Sequence, residues 1–211
     1  MPGTVPARVV LYRITHYQNL PDIVQRGMFC ATHPGTFRNA VVIGNSDLIS
    51  GRGSRVVPVV PNGVLNDYVP FYLGPHSPML FGIKTGFHAQ QRPQREIVYV
   101  CSELSQVQEL GLPFVFTDGH AYMQLSRFYN KVADLNALDW DVIPAKQWKR
   151  TEDDNDRQRR KQAEFLVHHH VPVAAIVAVI VYDQEMADWV TPLLAAAGVN
   201  FKAVVFPKWY Y

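Results

Sequence analysis

The run Ala174–Tyr182 constrains the fold more than any other stretch of this 211-residue sequence. Nine consecutive apolar residues, rich in β-branched side chains, suit a strand covered on both faces. Ile97-Val-Tyr-Val-Cys101, inside a strand expected over Glu96–Ser102, has the same character. Further strands are expected at Arg8–Ile14, Pro78–Gly82, Pro113–Asp118 and Phe201–Phe206. Asn19–Gly27 reads as a short helix with Pro21 in its first turn and Gly27 as its stop. Gln184–Ala197 reads as an amphipathic helix stopped by Gly198 and interrupted only by Pro192, and Ala121–Leu138 as mostly helical. The segment from Asp156 to Val167 starts polar and ends apolar, which fits either a helix or the entry to a strand. Strands and helices alternate without a strict βαβ rhythm or an internal repeat, so the expected class is α+β, with residues 1–211 forming a single domain.

Composition narrows the function classes. With 48% hydrophobic and 18% charged residues, the chain has the material for a packed core and too little charge for disorder. Its longest apolar run, Val171–Tyr182, is too short to cross a bilayer, and the first twenty residues lack the apolar stretch of a secretory signal, so a cytoplasmic protein is expected. Cys30 and Cys101 fit neither a CxxC motif nor a four-ligand zinc site and are expected to be buried thiols. A formal net charge of +2 excludes a polycation that coats nucleic acid indiscriminately. Charge is nonetheless uneven: Arg38–Arg95 carries six basic residues against two acids, and Lys146–Lys161 seven against four. Both stretches are candidate faces for an anionic ligand.

Motifs for a phosphate loop, a dinucleotide fold, a zinc protease or a serine hydrolase are missing from the sequence. His168-His169-His170 is not expected to bind a metal, because neighbours on a strand point to opposite faces. Between Cys30 and Tyr72 periodicity is weak, as in a long working loop with short elements. Asn66–Leu80 is dense in aromatics and prolines, which suits a stacking platform for a planar ring as well as ordinary core. Glu164 is the most unusual charge. It lies between Ala163 and Phe165-Leu166-Val167. A carboxylate there is costly to desolvate without a compensating partner, and such groups are often functional. His16 at a strand end, Arg52 and Arg55 in a glycine-rich loop, and Glu164 form a testable set.

Several strings then combine. Leu11-Tyr-Arg-Ile-Thr-His16 with Asn19-Leu20, Asp67-Tyr-Val-Pro-Phe-Tyr72 with Ser77-Pro-Met-Leu80, Phe116-Thr-Asp118 with His120-Ala121, Gln162-Ala-Glu164 and Trp209-Tyr210 occur in order over nearly the whole chain. Together they resemble the DarT family of DNA ADP-ribosyltransferase toxins. The resemblance implies a diverged ADP-ribosyltransferase fold related to the PARP catalytic domain, with a central split, mixed sheet flanked by helices. It also implies NAD as co-substrate and attachment of ADP-ribose to a base of single-stranded DNA, thymidine favoured over guanosine. By position, Glu164 resembles the catalytic glutamate, supported by Arg52. Arg52, or failing it Arg55, resembles the NAD-contacting arginine. His16 with Asn19 belongs to the NAD pocket, and Tyr68 or Tyr72 would stack on nicotinamide. His120 would contact the base, while Arg157, Arg159, Arg160 and Lys161 would grip the DNA phosphates. The implied partner is a macrodomain antitoxin of the DarG type. Alternatives left open are an RNA- or protein-directed transferase on the same fold and a noncatalytic single-strand-binding module.

Overall fold

The computed structural model describes residues 3–211. The two doubly apolar runs become neighbouring strands in an eight-stranded sheet, and most other elements pack onto one of its faces. In chain order the elements are β1 (Val10–His16), α1 (Leu20–Arg26), β2 (Met28–Phe29), α2 (Ser46–Arg52), β3 (Tyr68–Tyr72), α3 (Pro78–Thr85), β4 (Ile97–Glu103) and α4 (Leu104–Glu109). They continue with β5 (Phe114–Thr117), β6 (Phe128–Tyr129), α5 (Arg157–Lys161), β7 (Glu164–His168), β8 (His170–Val171), β9 (Ile176–Val181), α6 (Gln184–Ala196) and β10 (Lys202–Val205). The sheet order is β10-β9-β4-β1-β3-β7-β5-β6, while β2 and β8 pair separately. Among the described residues only β9 and β10 run parallel to each other, so the large sheet is mixed.

Alternation along the strands divides the core. One face carries Leu11, Val69, Phe71, Val98, Val100, Phe116, Phe165, Val179 and Val181, covered by Ile23 and Val24 of α1, Val107 of α4 and Val190 and Leu194 of α6. The opposite face holds two smaller clusters. Leu80 and Ile83 of α3 pack with Ile14, Ile97, Tyr99 and Tyr210 over β1 and β4. Val57, Leu65, Tyr68, Val115, Phe128 and Leu166 pack over β3, β7 and β5. Between these clusters β1 and β3 meet at the single pair Tyr12↔Tyr72, whereas β1 and β4 pair over seven positions from Val10↔Glu103 to His16↔Ile97. The sheet is split there.

Two expectations change and one open choice is resolved. Pro78–Gly82 is the first part of α3 and not a strand: Ser77 caps it by accepting from the Leu80 N–H at 3.2 Å, Pro78 fits the first turn, and Gly86 at φ +78° ends it. A short apolar run does not by itself distinguish strand from helix; the capping residues do. Ala121–Leu138 is not a regular helix but turns, β6 and a 3₁₀ helix over Val132–Ala137. Its first turn is diverted by side chains: the Ala121 N–H donates to Glu164, and the Ser126 hydroxyl donates to the His120 carbonyl. The ambiguous segment after Asp156 contains both elements, α5 followed by β7, with Glu164 as the first strand residue.

Candidate active site

Three segments converge on Glu164. Asn45 caps α2 by accepting from the N–H groups of Asp47 and Leu48 at 2.9 and 3.0 Å, and Arg52 closes that helix. Gly51 lies against the end of the Tyr122 side chain, whose hydroxyl would stand 2.6 Å from a Cβ at this position. At the end of α2, Arg52 Nη1 donates to Glu164 Oε2 at 2.9 Å. Glu164 Oε1 accepts the Ala121 N–H, also at 2.9 Å, and the Glu164 N–H donates to Thr117 Oγ1 at 3.2 Å. Glu164 is only 4% exposed, so the guanidinium and the backbone donor offset much of the cost of burying its charge. Arg52 Nη2 is buried with no hydrogen-bond partner. A buried donor left unpaired is costly and awaits an acceptor.

His120 and Tyr72 complete this end. His120 Nε2 lies 3.9 Å from Glu164 Oε1. Burial pushes the imidazole below its ordinary value; Glu164 pulls it up and Arg52 pushes it down again. Tyr72 faces Glu164 directly across β3 and β7, and burial followed by the Glu164 charge pushes its phenol up. In the split beside them, Arg13 Nη1 donates to the Pro70 carbonyl at 2.9 Å. Burial, then Arg52, brings Arg13 down to about 10, which still leaves it charged at neutral pH. Among the described residues it has no carboxylate partner. Glu164 thus pairs with Arg52 alone, and Arg13 adds a second positive charge to the cleft that no carboxylate offsets. Sequence reasoning missed Arg13; its signal was a lone cation between apolar Leu11 and Ile14 in a strand.

His16 lies on the same sheet face, four residues beyond Tyr12, or about 13 Å farther along β1 at ordinary strand rise. It is 3% exposed. Its Nδ1 accepts from the Gln18 N–H at 3.3 Å, which leaves Nε2 to donate to Glu96 Oε2, also at 3.3 Å. Burial pushes its pKa down. Asn19 is fully engaged: Nδ2 donates to Thr15 Oγ1 and the Val41 carbonyl, each at 3.0 Å, and Oδ1 accepts from the Val41 N–H at 2.8 Å. It shapes the wall near His16 and has no donor to spare.

The remaining expected site residues do other work. Arg55 donates to Ala121 O, Met123 O and Gln124 Oε1, so it holds the turn that presents the Ala121 N–H; Arg52 is the arginine at Glu164. Tyr68 is core: it is 2% exposed and its hydroxyl donates to the Asn62 carbonyl at 2.5 Å. Arg157 donates to the Gln147 carbonyl at 3.0 Å and pairs with Asp154 at 3.7 Å. Arg159 pairs with Asp156 and Asp118 at 2.7 and 2.8 Å, and Arg160 pairs with Asp139 and Asp154. Lys161 is 3% exposed and donates to Pro75 O and Ile143 O at 2.9 and 2.5 Å; burial brings it down to about 7. Acids or carbonyls inside the fold already hold these four cations, which were expected to grip phosphates. The reason given for the histidine triple is corrected. His169 adopts φ +60°, which breaks strand alternation and brings its ring centroid to 3.7 Å from that of His168.

Comparison with known proteins places this arrangement. The model of the family described as DarT, ssDNA thymidine ADP-ribosyltransferase, matches residues 12–211. The chain belongs to the DarT family. Relatives named DNA ADP-ribosyl transferase are 36% identical in Thermus sp. (strain 2.9), covering 100% of both chains, and 35% identical in Escherichia coli O127:H6, covering 98% of this chain and 95% of the other. The structure of Thermus sp. 2.9 DarT in complex with ADP-ribosylated ssDNA matches with a TM-score of 0.90 at 32% identity over 100% of both chains. The same DarT in complex with NAD+ matches with a TM-score of 0.85 at 33% identity over 99% of this chain and 100% of that one. The split mixed sheet with flanking helices is thus the DarT form of the ADP-ribosyltransferase fold. A DNA ADP-ribosyl transferase–DNA ADP-ribosyl glycohydrolase fusion protein from Thermosipho africanus is 24% identical over 84% of this chain and 44% of its own length.

Proposed function

We propose that this chain, acting as one domain over residues 1–211, transfers ADP-ribose from NAD to a thymidine base of single-stranded DNA. The observation that carries the proposal is the buried Arg52–Glu164 pair, with one guanidinium nitrogen still lacking an acceptor at the split between β1 and β3. The residues present fit NAD. Arg52 Nη2 and Arg13 offer cationic donors for a pyrophosphate or ribose oxygen, His16 offers a hydrogen-bonding wall at the far end, and Tyr72 offers an aromatic ring opposite Glu164. When bound, NAD supplies an ADP-ribosyl group with nicotinamide as its leaving group.

The chain's own residues then divide the work. Arg52 and the Ala121 N–H fix both oxygens of Glu164, so its negative charge is oriented before reaction, where positive charge develops on the donor ribose. His120, held neutral by burial, keeps a nitrogen for the incoming base beside Glu164. An unpaired base suits this buried site because it avoids an unstacking cost of about a few kcal/mol. Within a cell, such a base modifier is a toxin of the cytoplasm, paired with a DNA ADP-ribosyl glycohydrolase that reverses it, as the Thermosipho africanus fusion joins the two in one chain.

Parallel incubation of the protein with labelled NAD and a DNA oligonucleotide, an RNA oligonucleotide or a protein mixture tests the acceptor. Label on single-stranded DNA containing thymidine is expected. Label confined to RNA or protein, or DNA binding without nicotinamide release, contradicts the proposal.

A further inference from the structure

Helix α2 carries Arg52 to the active site without a buried side chain of its own. Leu48 and Ile49 are each 40% exposed. Few buried apolar contacts make such an element locally weak, so its seating depends on polar contacts. At its start, Asn45 Nδ2 donates to the His88 carbonyl at 2.9 Å; at its end, Arg52 pairs with Glu164. Just past the helix, the Arg55 N–H donates to the Arg52 carbonyl at 3.3 Å, and the Arg55 carbonyl accepts from the N–H of fully buried Leu65 at 3.0 Å.

The Arg55 side chain crosses to the turn after β5. Its guanidinium donates to the Ala121 carbonyl at 3.4 Å, the Met123 carbonyl at 3.3 Å and Gln124 Oε1 at 2.9 Å, and it lies 5.6 Å from the centre of the Phe128 ring. This turn presents the Ala121 N–H to Glu164 and carries His120, the side chain assigned to the incoming base. Arg52, with one nitrogen still lacking an acceptor, and Arg55 therefore stand three residues apart on one segment. The first is turned to the donor substrate and the second to the turn that meets the acceptor. A planar guanidinium spans several acceptors in a fixed geometry, which a lone ammonium cannot do.

We infer that Arg55 is a positioning residue that couples the two substrates: NAD, on engaging Arg52, seats α2, and Arg55 passes that seating to the His120 turn, so that single-stranded DNA binds more tightly to the NAD-loaded protein. This deepens the proposed function and rests on it for the identity of both substrates. Two arrangements exchange, one with α2 and the turn joined through Arg55 and one with them apart, and the structure shows the first. NAD favours the joined arrangement because a seated α2 brings the spare Arg52 nitrogen to the cleft, and DNA favours it because a held turn presents His120. Linkage makes the effect reciprocal, so DNA tightens the binding of NAD by the same factor.

Fluorescence anisotropy of a labelled thymidine-containing oligonucleotide, titrated with and without saturating carba-NAD, reads the coupling. In that analogue a methylene replaces the ring oxygen of the donor ribose, so nicotinamide is not released. With carba-NAD present the native chain is expected to bind the oligonucleotide about tenfold more tightly, and Arg55→Ala less than about twofold more tightly. Arg55→Lys, whose ammonium holds fewer of the three acceptors, is expected to give a factor between the two. A residue that only stabilises the fold would lower the unfolding temperature of Arg55→Ala and leave the coupling at its native value. That result overturns the inference, as does native coupling in Arg55→Lys or a native chain whose affinity for the oligonucleotide carba-NAD leaves unchanged. Transfer of ADP-ribose from NAD to the same oligonucleotide is read separately. A native chain that shows the coupling, and its loss in Arg55→Ala, but transfers nothing overturns the proposed function alone; one that transfers without coupling overturns the role of Arg55 alone.

Discussion

The two ends of the cleft are built differently. At the carboxylate end, Glu164 is fixed by Arg52 from α2 and the Ala121 N–H from the turn after β5, each at 2.9 Å, and that turn is held in place by Arg55 and Arg159. At the histidine end, the contacts of His16 are both 3.3 Å long, and its partner Glu96 is shared with Arg92 at 3.6 Å. Short, charge-assisted bonds from separate segments fix a group before reaction; longer, shared bonds leave one free to exchange partners when a ligand arrives. Under the proposed function, the contrast fits chemistry at the Glu164 end and retention of the donor at the His16 end.

Exchanging Arg52 for Lys strikes the carboxylate end hardest short of removing the acid itself. One ammonium cannot serve both Glu164 and a second acceptor in the guanidinium geometry, and kcat is expected to fall about 100-fold with little change in unfolding temperature. A change in the NAD KM alone would move Arg52 to the binding end. His16→Ala is expected to raise the NAD KM about tenfold and to leave kcat within about twofold; the reverse pattern would erase the distinction between the ends. Arg159→Ala, which frees the turn carrying His120 and Ala121, is expected to remove about 2–3 kcal/mol of stability in denaturant titration while leaving the salt dependence of DNA binding unchanged.

Acid gives the smallest effect and engages both ends. Burial depresses the folded-state pKa of His16 and His120, and of His76 and His168 elsewhere. Below the unfolded value of about 6.5 the unfolded chain therefore binds more protons than the folded one, so stability present above that pH is lost as pH falls. Thermal unfolding followed from pH 7.5 to 5 is expected to show a falling midpoint, with a shallower decline in His120→Gln. A midpoint that rises on acidification contradicts the burial of these rings as neutral groups.

Part of the candidate site was legible because its chemistry conflicts with its surroundings. Glu164 stood out as a charge in an apolar run, and the structure pairs it with Arg52 and brings His120 and Tyr72 beside it. The strands at Ile97–Glu103 and Ile176–Val181 were legible for the opposite reason, since nothing polar interrupts them. Arg157–Lys161 misled because a count of cations does not show which acids fold back onto them: Asp118 and Asp139 lie 41 and 21 residues from their arginines. The less basic-looking Lys146–Arg150 stretch keeps its charges free. Arg13 escaped because its importance comes from the divergence of β1 and β3, a property of sheet pairing.

The account rests on Glu164 acting chemically at a DNA base, and mass spectrometry of a mixed-sequence single-stranded oligonucleotide after incubation with NAD tests that most directly. The native chain is expected to add ADP-ribose at thymidine. Glu164→Gln, which keeps an acceptor oxygen for the Ala121 N–H but loses the charge, is expected to add at least about 100-fold less while binding the oligonucleotide as well as before. Undiminished modification by Glu164→Gln would contradict the account.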